Sequence, residues 1–239
     1  MATDLARIGR SGIVNTAKKR SGFIKSGYRE IDSVADFMQG MVATIGTDSE
    51  VEVASNTSKK VLGVFNNHKT ANFYRPIVEE EVTFVGADLP VNLANQNLRA
   101  DYAIVTDSTG GTVYTEGTDY ALDDPTGVIT HDSGGAIGAT DTVKISYLYK
   151  DTGLSEIDDT EGAGRVSLME GEGEIALLIY DVTKINSTAN KFAVGEKVTA
   201  DANGLASTGG SAGQLGYVTK VPTNADPELH VQMEIVSTF

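Results

Sequence analysis

Apolar residues along this chain recur at every second position over short stretches separated by polar, glycine-containing turns. Val143, Ile145, Tyr147 and Tyr149 alternate strictly, which predicts a strand with one apolar and one polar face. The stretch His230–Val236 alternates in the same way. Met41–Ile45, Glu50–Val53 and Val61–Phe65 are short strands, parted by the clusters Gly46–Ser49 and Ser55–Ser58. Ile175–Tyr180 is a continuous apolar run, too short for a core helix and read as a buried strand. The first 30 residues lack a sustained helical stripe and leave room for one short helix around Ala6–Ile8.

These strands fall into three sets. Between Glu79 and Lys150, strands at Glu79–Val85, Ala103–Val105, Thr112–Tyr114, Tyr120–Leu122, Gly127–Thr130 and Thr142–Tyr149 are spaced as in a small β-sandwich. On either side lie segments that echo each other. Leu62-Gly63-Val64 closes the first, and Leu215-Gly216-Tyr217-Val218 follows the turn Asp201–Gly204 in the second. The expected organisation is an extended basic arm over 1–35, then a β-barrel-like, tulip-shaped module made of 36–78 together with 166–239. An inserted β-sandwich occupies 79–150, and an acidic, Gly-rich linker covers 151–165. The fold class is mainly β.

Composition narrows the choice of chemistry. Among 239 residues there is no Cys and no Trp, and aromatics reach 7%. Several thin β cores are therefore expected rather than one bulky core, and disulfides, thiolate catalysis and Cys-ligated metals are excluded. No apolar run approaches the ~20 residues of a membrane helix, and no apolar signal core argues for export. Synthesis in a cytoplasm is the expectation.

Charge is unevenly placed. Up to Arg29 the chain carries Arg7, Arg10, Lys18, Lys19, Arg20, Lys25 and Arg29 against Asp4 alone, a net +6. The total is −14, so the remainder holds −20. These seven cations are read as a partner-binding arm that docks on an acidic surface, either a neighbouring subunit or nucleic acid. The acidic body argues against specific nucleic-acid binding by the whole chain.

Four strings imitate catalytic motifs without their context. Gly209–Gly213 fits a nucleophile elbow but lies in a Gly/Ser loop rather than between strand and helix. Asp132–Gly135 lacks the histidine pattern of a serine protease. Gly171–Ala176 fits a dinucleotide formula, but two glutamates would repel a pyrophosphate. His68, His131 and His230 are too scattered for zinc. Asp123-Asp124 reads as a solvated acidic turn, with loop-bound calcium as the alternative. No catalytic residue, metal ligand or cofactor site is expected, and the chain is read as no enzyme.

The stretch from Val113–Tyr120 through Gly127–Thr130 to Val143–Tyr147 resembles a β-sandwich segment recurrent in tailed-phage structural proteins. The flanks Gly40–Phe65 and Val194–Ile235 resemble capsid decoration (cement) proteins of small β-barrel type. In these a Gly-Asp/Glu-x-Val strand, a turn and a Leu/Ile-Gly-x-Val strand recur. The resemblance implies a bacteriophage virion structural protein on the capsid surface, bridging copies of the major capsid protein as a homotrimer, with no membrane partner. The basic arm and inserted sandwich depart from the shortest such proteins, so a tail-tube or baseplate role stays open, as does a glycan-active virion enzyme. On this reading, deleting residues 2–29 leaves the body folded and weakens assembly.

Overall fold

The computed structural model describes residues 17–20, 23–30, 37–46, 50–66, 69–70, 72–86, 88–152, 157–158, 165–211 and 213–234. The fold is nearly all β, with a curled half-barrel sheet and smaller sheets beside it. The N-terminal part holds β1 (Ala17–Lys19), β2 (Phe23–Glu30), β3 (Val42–Ile45), β4 (Val51–Val53), β5 (Val61–Phe65) and β6 (Lys69–Thr70). The middle holds β7 (Tyr74–Thr83), β8 (Val91–Asn92), β9 (Leu98–Asp107), β10 (Val113–Tyr114), β11 (Tyr120–Asp123), β12 (Val128–His131) and β13 (Thr142–Lys150). Then follow β14 (Ile157–Asp158), β15 (Arg165–Leu177), a 3-10 turn at Val182–Lys184, β16 (Lys197–Ala200), β17 (Ala206–Thr208), β18 (Gly216–Lys220) and β19 (Leu229–Glu234).

The main sheet is organised by β15, which has 13 residues. Ile175–Leu177, expected as part of a separate strand, is its C-terminal end. Along one edge β15 pairs first with β5, at Leu168 and Met169, and then with β19, from Glu172 to Leu177. Two branches leave from there. One runs β5-β3-β4 and the other β19-β18-β16-β17. On its opposite edge β15 pairs with β2 and then β1.

The two branches are copies of one pattern. In the first, β3 pairs with β4 through Ala43↔Val53, Thr44↔Glu52 and Ile45↔Val51. In the second, β16 pairs with β17 through Val198↔Thr208, Thr199↔Ser207 and Ala200↔Ala206. Each hairpin is closed by an equivalent loop bond, Gly46 N to Glu50 O (2.8 Å) and Asp201 N to Leu205 O (2.9 Å). The return strands dock identically, with Ala43 opposite Gly63 and Val198 opposite Gly216. The entry turns match as well. Gly40 N donates to Phe65 O and Gly195 N to Val218 O, both at 2.8 Å, and the two glycines share a left-handed φ of 96° and 86°. The echo between the two Leu-Gly strands is therefore geometric: two hairpin-and-return units on one sheet.

The inserted region forms a four-stranded sheet, β10-β9-β13-β7, facing a three-stranded one, β11-β12-β8. Val82, Phe84, Leu93, Val105, Ile129, Val143, Ile145 and Tyr147 fill the space between them. Its strands start at Tyr74, inside the expected barrel flank, because their bases belong to the larger core. Val78, Tyr102 and Leu148 pack there with both hairpin units and β15. A bulge makes this possible. Val78 and Glu79 together oppose Ser146, Glu79 adopts φ 52°, and its N–H donates to Ser146 Oγ at 2.9 Å. The extra residue shifts the alternation, so Val78 serves one core and Val82 the other. On β13 the alternation predicted for Val143, Ile145 and Tyr147 holds, and Leu148, one residue on, faces the main core.

Candidate assembly surfaces

The sandwich is held to the second hairpin unit by a polar junction. Tyr102, on β9 and 6% exposed, donates its hydroxyl proton to Asp201 Oδ2. Asn203 Nδ2 donates back to Tyr102 Oη at 2.8 Å. The Asp201 Oδ1 atom accepts from Asn203 N (2.8 Å) and Leu205 N (2.7 Å), so one carboxylate shapes the hairpin loop and anchors the sandwich. The Arg99 guanidinium lies 4.5 Å from the Tyr102 ring centre and 5.0 Å from that of Tyr74. Below it, Asn186 Nδ2 donates to Glu79 Oε1 at 2.7 Å. Sequence reading marked Asp201–Gly204 as a turn but missed this junction, because Tyr102 carries no local signal that it ends beside a loop a hundred residues later.

Burial lifts the Asp201 carboxyl above the ordinary aspartate value of 3.8, and the charge of Asp181 adds to the rise. A carboxyl raised by folding favours the folded state while it is protonated. That contribution is complete below 3.8 and is lost as pH rises through the raised value. Thermal midpoints of the wild type and of Asp201→Asn, compared from pH 4 to pH 7, should diverge, with the wild type losing more on the alkaline side. Parallel curves would contradict this assignment.

The predicted arm residues are placed as follows. Arg7 and Arg10 lie outside the described residues. Lys18 and Lys19 are on β1, and Lys25 and Arg29 on β2. Arg20 joins the two strands and pairs with Glu228. The expectation that the whole of 1–35 is an arm ordering on a partner is corrected for 17–20 and 23–30, which run along β15 as part of the body's own sheet. The backbone register runs without a shift from Phe23 opposite Glu172 to Glu30 opposite Arg165.

Elsewhere the carboxylates are tied to loops. A cleft of about 350 Å³ on the sandwich is lined by Asp88, Gly117, Tyr120, Ala121, Thr130, His131 and Asp132. Of its carboxylates, Asp88 accepts from Ser133 N (3.1 Å) and Asp132 from Gly134 N (2.8 Å). Asp123 accepts from Thr126 Oγ1, and burial beside Asp101 and Asp123 raises the Asp124 carboxyl. Among the described residues no group of three or more His, Asp or Glu side chains is arranged to hold a metal ion, and no helix is long and apolar enough to cross a membrane.

Among the described residues, large exposed apolar side chains occur in two places. Val85 (72% exposed) and Leu89 (48%) sit on the loop between β7 and β8 at the sandwich tip. Val194 (72%) and Tyr217 (37%) sit on the second hairpin unit. Their counterparts in the first unit, Gln39 and Val64, are buried. The duplicated scaffold thus has an inner copy that builds the core and an outer copy with an apolar corner facing outward.

Taken as a class, the molecule is a β scaffold of two equivalent hairpin units on a common sheet, carrying a sandwich. Comparison with known proteins returns no matching family model, no matching curated protein and no matching solved structure.

Proposed function

We propose that this chain is a bacteriophage virion structural protein that decorates the capsid surface and stabilises the head by bridging major capsid subunits, as a homotrimer. The reading is carried by the doubled hairpin unit that flanks an inserted sandwich, the pattern on which the resemblance to decoration proteins rests. The chemistry of such a task agrees with the surfaces described above. Bridging needs broad, shallow contacts repeated by symmetry rather than one deep site. The outer hairpin unit supplies an apolar corner at Val194 and Tyr217, and the charge distribution supplies a basic flank on an acidic body. Neither membrane nor specific nucleic acid is needed as partner.

The test is co-sedimentation of the purified protein with heads that lack it. The wild type should pellet with the heads. The double variant Val194→Glu, Tyr217→Ser should keep its thermal midpoint, since both side chains already face solvent, and should lose at least tenfold in binding. Equal binding by the double variant would remove the outer unit from the contact. Failure of the wild type to bind heads while it polymerises into tubes would favour the tail-tube alternative.

A further inference from the structure

We propose that Lys144 and Asn186 join in a self-formed isopeptide bond, made with loss of ammonia and promoted by Glu79, that ties the sandwich covalently to the main body. The inference goes beyond the assembly reading and does not depend on it. One carboxylate holds both reactants. Glu79 Oε1 accepts from Asn186 Nδ2 at 2.7 Å, and Glu79 Oε2 lies 3.9 Å from Lys144 Nζ. Three separate elements supply the set: β7, β13 and the loop after the 3-10 turn at Val182–Lys184.

The backbone is shaped around this contact. Among the described residues Glu79 is the one left-handed residue that is neither Gly, Asn nor Asp. Such a conformation costs roughly 1–3 kcal/mol and gathers at functional sites. Glu79 is the bulge residue of β7, fixed by the bond from its N–H to Ser146 Oγ. A bulge re-aims a side chain. Here it brings the Glu79 carboxylate to the face of β13 that carries Lys144 and Ser146, two residues apart. Asn186 is left-handed as well, at φ 57°, which asparagine tolerates. The turn between β9 and β10 closes on its amide, since a Cβ built on Gly110 would lie 2.9 Å from Asn186 Nδ2. The Lys144 and Glu79 side chains are 22% and 24% exposed, so water, the competing nucleophile, is partly held off.

The step balances with these three side chains alone. Lys144 Nζ yields one proton to Glu79, and the freed electron pair attacks Asn186 Cγ while the carbonyl π pair moves to Oδ1. Glu79 passes that proton to Nδ2 and takes a second from the nitrogen of the new C–N bond. The oxyanion pair re-forms the carbonyl, the Cγ–Nδ2 bond breaks, and ammonia leaves with the second proton as ammonium. The carboxylate is restored. A carboxylate set between the attacking and leaving nitrogens is a general acid–base relay. The flexible four-carbon stem of lysine lets Nζ swing from the carboxylate to Cγ. Holding amine and amide in one fold replaces an encounter in solution by an effective molarity that reaches about 10⁵–10⁸ M in well-oriented cases.

Mass spectrometry of the full chain tests this. The intact wild type should weigh less than its sequence by one ammonia, and a tryptic digest should contain one branched peptide joining Lys144 to Asn186. Lys144→Arg and Asn186→Ala should keep the full mass. Glu79→Gln should form the bond on the order of 10²–10⁴-fold more slowly, followed as a time course after purification. Where a variant fails to fold, the branched peptide of the wild type decides alone. A wild type of full mass would reduce the trio to an ion pair and a hydrogen bond and overturn the proposal. Loss of ammonia without a branched peptide, the mark of Asn186 cyclising onto its own backbone, would overturn it too, as would an unslowed Glu79→Gln.

Discussion

Deleting residues 2–29 should destabilise the body severely. The deletion removes β1 and nearly all of β2, which pair with β15 at Ile175–Leu177 and Arg165–Glu172. Each backbone hydrogen bond of such a ladder contributes roughly 0.5–1.5 kcal/mol net. Losing most of the eight pairs of β2 and the three of β1 amounts to several kcal/mol. The whole stability of a domain is typically about 5–15 kcal/mol. The deletion also opens the edge of the strand from which both hairpin units branch, which invites aggregation. Thermal unfolding and size exclusion of this deletion variant check this. A folded, monomeric 2–29 deletion with an unshifted midpoint would show that β15 does not depend on this segment, and would restore the free-arm expectation.

Gly63→Val and Gly216→Val should each lower the midpoint by about 6–12 °C. A Cβ built on Gly63 would lie 2.2 Å from the carbonyl oxygen of Met169, and one on Gly216 would lie 2.0 Å from that of Gln232. Both obstacles are main chain of the neighbouring strand, so no side-chain rotation relieves them. Forced separation of two well-packed strands costs roughly 3 kcal/mol at the upper end of overpacking effects, and 1 kcal/mol is worth ~2–4 °C in a chain of this size. The pair is informative because the residues are equivalents in the two units. If they are structural counterparts, both substitutions destabilise, while Thr219→Val, at an exposed position of the same β18, is nearly neutral. A neutral Gly216→Val would contradict the matched packing.

Much of the architecture is legible in the sequence, for definable reasons. The alternation at Val143, Ile145 and Tyr147 survives as a buried face because the sandwich sets one sheet against another. The Leu-Gly echo is legible because close approach of strands at Gly63 and Gly216 leaves no room for a side chain. The bulge at Glu79 was hidden, since an inserted residue changes the face of Val82 without changing residue types. The Tyr102–Asp201 junction was hidden too, because tertiary pairing across about a hundred positions leaves no periodicity. The pairing of 17–20 and 23–30 was hidden for a similar reason: nothing local to Lys25 and Arg29 tells that their segment runs along β15.

Imaging of purified virions by cryo-electron microscopy, with this chain fitted into the density, tests the assembly reading most directly. The account predicts density for the forked sheet and its sandwich on the outer shell, around local three-fold positions between major capsid subunits. Particles that carry the chain only in the tail, or do not carry it at all, would contradict it.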